Sequence, residues 1–468
     1  MESPKTQAQE HADHLPEIAS VTTRSRHSSV APQEANPQSV DPYGRPINCF
    51  PICNPVSSAY GGVESYARSL LFTGNGFPIF DVLGDRNRSV RYLQRGVGIG
   101  DVGILDPGGD FVFAFNIFAD PDDPLHADDI PPEFEQQLQP EPSEVKQIKN
   151  HFPPGTVIAS KGVKVTRLQD SPLQFTLSTK AREAGVLVLP QGASREDWNA
   201  GPELLQYLER HAVDWYQHIC HNIKASVTTV PNGSIYLITG LDKAQSLSAV
   251  SIPGAPERSG KPLEMSYDGT DITDPWTMTG AASAEISNRQ TDDAPFAVFL
   301  RGIRISLSNK LWRSNLEEIQ SDEMPYYNLL STPITGFISR LVRQKELILG
   351  VPSSALPGRQ QILFHVSDVL AQVLLDENPE AEYAFIEDST WLSHVSDVSD
   401  GTRPEILNLL VRVLSSYDAK ADGKNVTFQT KTLPTEPTNF LGRLLNSVTT
   451  RRRQQQTEAR IQKIFDRR

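Results

Sequence analysis

Asp110-Phe-Val-Phe-Ala-Phe-Asn-Ile-Phe118 decides the fold. The stretch alternates and is rich in aromatic side chains, which suits a pleated, half-buried strand better than a helix. Just before it stands Asp106-Pro107-Gly108-Gly109, a strong turn signal, so residues 102–105 are expected to pair with it as a hairpin. Farther on, Asn232-Gly233 separates Ser226-Val-Thr-Thr-Val230 from Ser234-Ile-Tyr-Leu-Ile-Thr239. That dipeptide suits a turn whose central residues both need positive φ, so a second hairpin is expected there.

Further strands are expected at 185–189, 246–252, 263–267 and 296–307. In the last of these, Ile303, Ile305 and Leu307 alternate with Arg304, Ser306 and Ser308, which predicts one buried and one solvated face. One long helix interrupts the strands at 202–221. Leu204, Leu205, Leu208, Ala212, Trp215, Tyr216 and Ile219 recur there at spacings of three and four, and Pro202 sits where a missing N–H is harmless. Strands dominate without alternating regularly with helices. The expected class is therefore α+β: a mainly antiparallel, strand-rich core with one long amphipathic helix, plus a smaller, mostly helical C-terminal unit.

The expected organisation is a disordered head over 1–45, the core over 46–308 and an irregular connector over 309–358. A small helical or αβ unit follows over 359–417, then a polar linker and basic tail over 418–468. The head is polar and lacks periodicity, so it cannot bury enough apolar surface to offset its ordering entropy. The small unit is read from helices at 365–376 and 404–416 and a short strand at 382–386. In the tail an apolar patch, Phe440, Leu441, Leu444, Leu445 and Val448, precedes Arg451-Arg452-Arg453.

The 468 residues carry a net charge of −13, which disfavours nucleic-acid binding by the core. Cys49, Cys53 and Cys220 are the three cysteines, too few for a disulfide framework. The first twenty residues hold no apolar core of a leader, and no run approaches the roughly 18 apolar residues of a membrane span. The expected compartment is the cytoplasm, with the nucleus possible.

Gly98-Ile-Gly100-Asp-Val-Gly103 matches a dinucleotide-binding spacing, but a strand and a Pro-Gly-Gly turn follow it where a helix N-terminus should hold the phosphate. Glycines that permit a bulge or close strand packing are the preferred reading, and no cofactor is expected. Gly254–Lys261 is rejected as a P-loop because its spacing is one too long and Pro262 replaces the hydroxyl residue. His211 and His218 lie two turns apart on the long helix, too far to share one ion, and no third ligand joins His218 and His221. The acidic loop Asp120–Asp129 lacks the alternating oxygens and central glycine of a calcium loop. No metal is expected. Asp101, and Asp242-Lys243 at the end of a buried strand, are the candidate ligand-binding residues; no catalytic residue is assigned.

Gly100-Asp-Val-Gly-Ile-Leu-Asp-Pro-Gly-Gly-Asp-Phe111 with Phe115-Asn116 and Asp120-Pro-Asp-Asp-Pro124 forms one recognisable block. Pro231-Asn-Gly-Ser-Ile-Tyr-Leu-Ile-Thr-Gly240 with Asp242-Lys243 forms another. Phe364-His-Val-Ser-Asp-Val-Leu370, Ala384-Phe-Ile-Glu-Asp388 and Trp391 form a third. Together they resemble a family of proteins from mushroom-forming fungi, over roughly residues 45–415. The resemblance implies a fungal origin and no activity, ligand or catalytic residue, since the family has none assigned. The chain departs from it at Val366, where the family's histidine is followed by proline.

The expected function is that of an intracellular, non-catalytic binding or regulatory protein with a protein partner. One alternative is an enzyme acting on a small molecule through the loops near Asp101 and Asp242-Lys243. Another is peripheral membrane association through the basic amphipathic tail, the one place where membrane contact is expected.

Overall fold

A computed structural model describes residues 61–321, 365–395 and 403–431, apart from 81, 83–88, 107–108, 127–129, 138, 169–170, 172, 182, 223–229, 254–261, 272–273, 280–283 and 292–293. All of them belong to one unit, Cys49–Arg468. The expected head, the connector beyond 321 and the basic tail lie outside the described residues, as does the first strand of the Asn232-Gly233 hairpin up to residue 229.

The spine of the first sheet is β15 (Phe296–Leu307). It pairs antiparallel with β10 (Ile235–Ala244) on one side and β16 (Tyr383–Glu387) on the other. Beyond β10 lie β2 (Asp101–Leu105) and β3 (Phe111–Asn116), the expected hairpin. Beyond β16 lie β18 (Asn425–Thr430) and, at the edge, β17 (Tyr417–Asp422). A short β1 (Phe77–Pro78) adds to β15, while β9 (Ala193–Trp198) joins the far end of β10 and carries β4 (Val145–Phe152). Among these pairs only β16–β18 is parallel. The segment read as a smaller C-terminal unit thus contributes its strands to the same sheet as the core.

The two faces of this sheet are covered by different layers. On one face α3 (Glu203–Asn222) and α4 (Asn309–Ser321) pack. Leu204, Leu208, Trp215, Tyr216, Ile219 and Trp312 meet Val102, Ile104, Leu237, Ile303 and Ile305. Each such large side chain contributes about 1.5–3 kcal/mol by leaving water. On the other face lie α1 (Gly61–Leu71), the short α2 (Val90–Arg95), α5 (Val366–Glu377), the single turn α6 (Ser389–Leu392) and α7 (Arg403–Ser416). The chain is accordingly mixed α+β, built on large antiparallel sheets, with α3 the one long helix among the described residues.

After β10 the chain breaks at Gln245 and continues as β11 (Ser246–Ile252) in a second sheet, between β14 (Glu285–Gln290) and β8 (Ala184–Leu189), with β5 (Thr156–Ala159) beyond. A third sheet comprises β13 (Trp276–Thr279), β12 (Leu263–Asp268), β7 (Gln174–Thr179) and β6 (Val163–Arg167). Phe175, Leu177, Val186, Val188, Val250, Met265, Tyr267 and Trp276 form the core shared by these two sheets. α1 packs on β8 and β11 through Tyr66 and Leu70.

Three expectations need correction. Arg304 and Ser306 are not solvated: Arg304 is 3% exposed, because β15 is central and covered on both faces. Its guanidinium donates to the carbonyls of Gly233 and Ser234 and stands 5.0 Å from the Tyr236 ring centroid. Residues 309–321, read as irregular connector, form α4. Residues 418–430, read as polar linker, form a hairpin whose two-residue turn, Gly423-Lys424, has Gly423 at φ 60°.

One glycine on β15 is dictated by close approach. A Cβ on Gly302 would lie 2.1 Å from the carbonyl oxygen of Leu237, so no side chain fits there.

Candidate functional site

Three buried carboxylates organise the polar interior, and two of them are sequence candidates. Asp101 starts β2, directly after the glycine motif. Gly100 adopts φ 83°, and a Cβ on Gly103 would lie 2.2 Å from the carbonyl oxygen of Val112 at the β2–β3 bulge. The glycines therefore open a strand and let two strands approach closely. Asp101 accepts two hydrogen bonds from the Arg95 guanidinium at 2.6 and 2.7 Å, one from Gly98 N–H at 2.7 Å and one from Asn116 Nδ2 at 2.7 Å. Burial works against the charge on Arg95, but the Asp101 carboxylate outweighs it and the arginine is held above its ordinary pKa.

Asp242, on β10, is held by different groups. Arg195 donates to both its oxygens at 2.7 and 2.8 Å, and Arg301 Nη2 donates at 3.1 Å. Arg301 also donates to Asp197 at 2.6 Å and to the Asn75 carbonyl at 2.7 Å. The cross-strand register explains the grouping, since Asp242 stands opposite Arg195 and Gly240 opposite Asp197. Lys243, the next residue, shares its electrostatic surroundings with Glu196, Arg95 and Asp101. Burial lowers its pKa, and Glu196 partly offsets that. The structure thus places Lys243 within the field of the Asp101 pair, while Asp242 belongs to a separate ion-pair cluster.

The third carboxylate, Asp388, is 1% exposed and follows β16. One oxygen accepts from the Tyr236 hydroxyl and from Gly302 N–H at 3.0 Å. The other accepts from Ser367 Oγ at 2.9 Å and Trp391 Nε1 at 3.0 Å. His365 caps α5 by accepting from Ser367 N–H through Nδ1, and its Nε2 lies 3.7 Å from Asp388. Burial, and then Arg304, push the His365 pKa well below its usual value, so the imidazole is neutral and the contact is no ion pair. Burial also raises Asp388, against the hydrogen bonds that favour its charge.

Sequence reasoning missed this third set as a site, together with Arg95, Asn116, Arg195 and Arg301. Tyr236, His365, Ser367, Asp388 and Trp391 come from β10, α5, α6 and the residues flanking them, and only the folded sheet brings them together.

Asp368, on α5, has its pKa raised to about 6, chiefly by burial and against the pull of Arg304 3.8 Å away. For a carboxyl raised in the folded state, the folded chain holds the proton longer than the unfolded one. Its contribution to stability is therefore complete below about pH 4 and lost as pH rises past 6. The side chain is 31% exposed, so solvent screens part of the effect. Urea unfolding of Asp368→Asn beside the parent chain, at pH 4 and pH 7, is expected to show the variant gaining relative stability at pH 7. Identical differences at both values would refute this.

The helix histidines have separate partners. His211 meets Glu135 at 3.1 Å, His218 packs edge-on against Phe115, and His221 bonds to the Gln217 carbonyl at 2.6 Å. Among the described residues no group of three or more His, Cys, Asp or Glu side chains could hold a metal ion. In the acidic loop, Asp120 and Asp123 accept from the backbone of Asp122 and Leu125, and His126 is buried against the backbone of Asn116.

No family model matches the chain, and no curated protein matches it. Among solved structures, a similar one is the cryo-EM structure of the Gasdermin A3 membrane pore. It is 9% identical with a TM-score of 0.20, over 52% of this chain and 90% of that chain. A likeness that low carries no argument about fold or function.

Proposed function

We propose that the chain is a non-catalytic binding or regulatory protein of fungal origin, working in the cytoplasm or nucleus on a protein partner. What supports this reading is how its acids are used. Asp101, Asp242 and Asp388 are each at most 1% exposed, and each is saturated by donors from several elements. A general acid or base needs hydrogen-bond access to a substrate. These groups instead tie strands and helices together. Among the described residues no helix is long and apolar enough to cross a membrane.

A second reading, an enzyme acting on a small molecule, draws on one observation. Lys243, its pKa lowered by burial, lies in the field of Asp101, Arg95 and Glu196. A lysine whose pKa burial lowers is shifted in the direction nucleophilic or base chemistry uses.

Native mass spectrometry of the full chain recovered from its own cells separates the two. A different polypeptide, held in stoichiometric amount and released on denaturation, is the expected result. A small molecule in its place, lost from both Asp101→Asn and Lys243→Met chains, would overturn the first reading in favour of the second. Membrane association through residues 437–468 concerns a segment outside the described residues.

A further inference from the structure

β17 is the outermost strand of the first sheet, paired on one side with β18 and on the other with no strand among the described residues. Tyr417 is half-buried and the five residues from Asp418 to Asp422 are exposed. A strand edge of this kind presents a row of unpaired N–H and C=O groups and is a template for another strand. Natural edges are commonly blunted by charge, and β17 carries Asp418, Lys420 and Asp422. What matters is whether those charges oppose pairing in every register or select one.

Side chains alternate along a strand, so Asp418, Lys420 and Asp422 share one face while Tyr417, Ala419 and Ala421 share the other. Two copies of β17 side by side and antiparallel are related by a two-fold axis normal to the sheet. Residues facing one another then lie on the same face, and the axis must pass by a residue rather than between two. Centred on Lys420, the pairing sets Lys420 against Lys420 and Asp418 against Asp422, all like charges. Centred on Ala419, it sets Asp418 of each copy against Lys420 of the other, twice by symmetry, with the small Ala419 facing itself at the centre. Centred on Ala421, unlike charges also meet, but only 420–422 overlap as strand because the chain turns at Gly423, φ 60°. The Ala419 register is the longest that opposes unlike charges. Asp418 can turn to it: it is 71% exposed, and its ion pair to Lys431 of its own chain is 3.5 Å long.

We infer that β17 pairs antiparallel with β17 of a second copy of this chain, in the register centred on Ala419, joining two sheets edge to edge. The partner is self-complementary, as a two-fold interface requires. The contact is one short strand, so the dimer depends on protein concentration.

Sedimentation equilibrium of the full chain, 51.8 kDa, over a range of concentrations tests it. The parent chain is expected to form a dimer. Asp418→Lys and Lys420→Asp each put like charges opposite one another at two places, and each is expected to weaken the dimer about tenfold. Both positions are exposed, so both variants are expected to fold, which circular dichroism checks. Mixing the two variants in equal amounts restores unlike charges at both places, and a heterodimer of parental strength is expected. A parent chain that stays monomeric overturns the inference. So do single variants that dimerise like the parent, or a mixture that stays as weak as its components.

Discussion

Asp388→Ala is expected to lower the free energy of unfolding by about 3–5 kcal/mol, measured by urea unfolding at pH 7. The carboxylate takes four hydrogen bonds from four segments: Tyr236 on β10, Gly302 on β15, Ser367 on α5 and Trp391 on α6. Removing it leaves four buried donors facing a void, and each unsatisfied donor costs about 1–3 kcal/mol before relaxation. Ser367 and Trp391 can still bond to each other at 3.0 Å, which limits the loss, whereas Gly302 N–H has no substitute. Tyr236→Phe removes one donor and is expected to cost about 1–2 kcal/mol. Asp388→Asn should fall between, because its amide must face donors on one side. A loss below about 1 kcal/mol for Asp388→Ala would show that the network is incidental. Since whole domains are stable by only about 5–15 kcal/mol, the expected loss endangers folding itself.

A comparable loss, again about 3–5 kcal/mol, is expected for Asp242→Ala, for a different reason. Arg195 and Arg301 are 17% and 11% exposed and share this one carboxylate. Without it the two guanidiniums repel each other in a poorly solvated place. Arg301 keeps Asp197, but Arg195 keeps a 3.3 Å bond to Asn75 and the Phe152 ring, 5.9 Å away, and no carboxylate bond among the described residues. The distinguishing result is a rescue. Asp242→Ala combined with Arg195→Met removes the repulsion, and the pair is expected to recover about 1–2 kcal/mol relative to the single change. Strict additivity of the two substitutions would rule the explanation out.

Much of the strand framework was legible. Phe296–Leu307 forms a strand over the span its pattern marks, and β2 and β3 pair antiparallel as expected. The long helix and α5 also fall within a residue or two of their periodicity. The reading failed where burial did not follow alternation. Arg304 sits inside because carbonyls and the Tyr236 ring receive it, and no local pattern announces such partners. β17 was missed because an exposed edge strand has no hydrophobic period to read, although Asp422-Gly423 marked its turn. Of the candidate site, Asp101, Asp242 and Lys243 were visible as charges at strand ends. Their arginine partners come from up to 59 positions away, Arg301 to Asp242, and only the folded sheet brings them together.

Asn232 has a bearing on how the chain assembles. Its side-chain amide donates to the Leu307 carbonyl at 2.6 Å, and its side-chain oxygen accepts from Leu307 N–H at 2.8 Å. It thereby acts as an extra rung at the end of the β10–β15 ladder. The opposite edge of β15 waits for β16, which begins at Tyr383, 76 positions after Leu307. During synthesis at about 5–20 residues per second, the ribosome needs several seconds or more to make that strand. Until then residues 303–307 of β15 lack their β16 partner, and β18 and β17 are not yet made either, while β1, β2, β3, β4, β9 and β10 can already join the sheet. A nascent chain paused in this interval is an aggregation hazard, and its yield in a heterologous host should depend on chaperones that hold such edges.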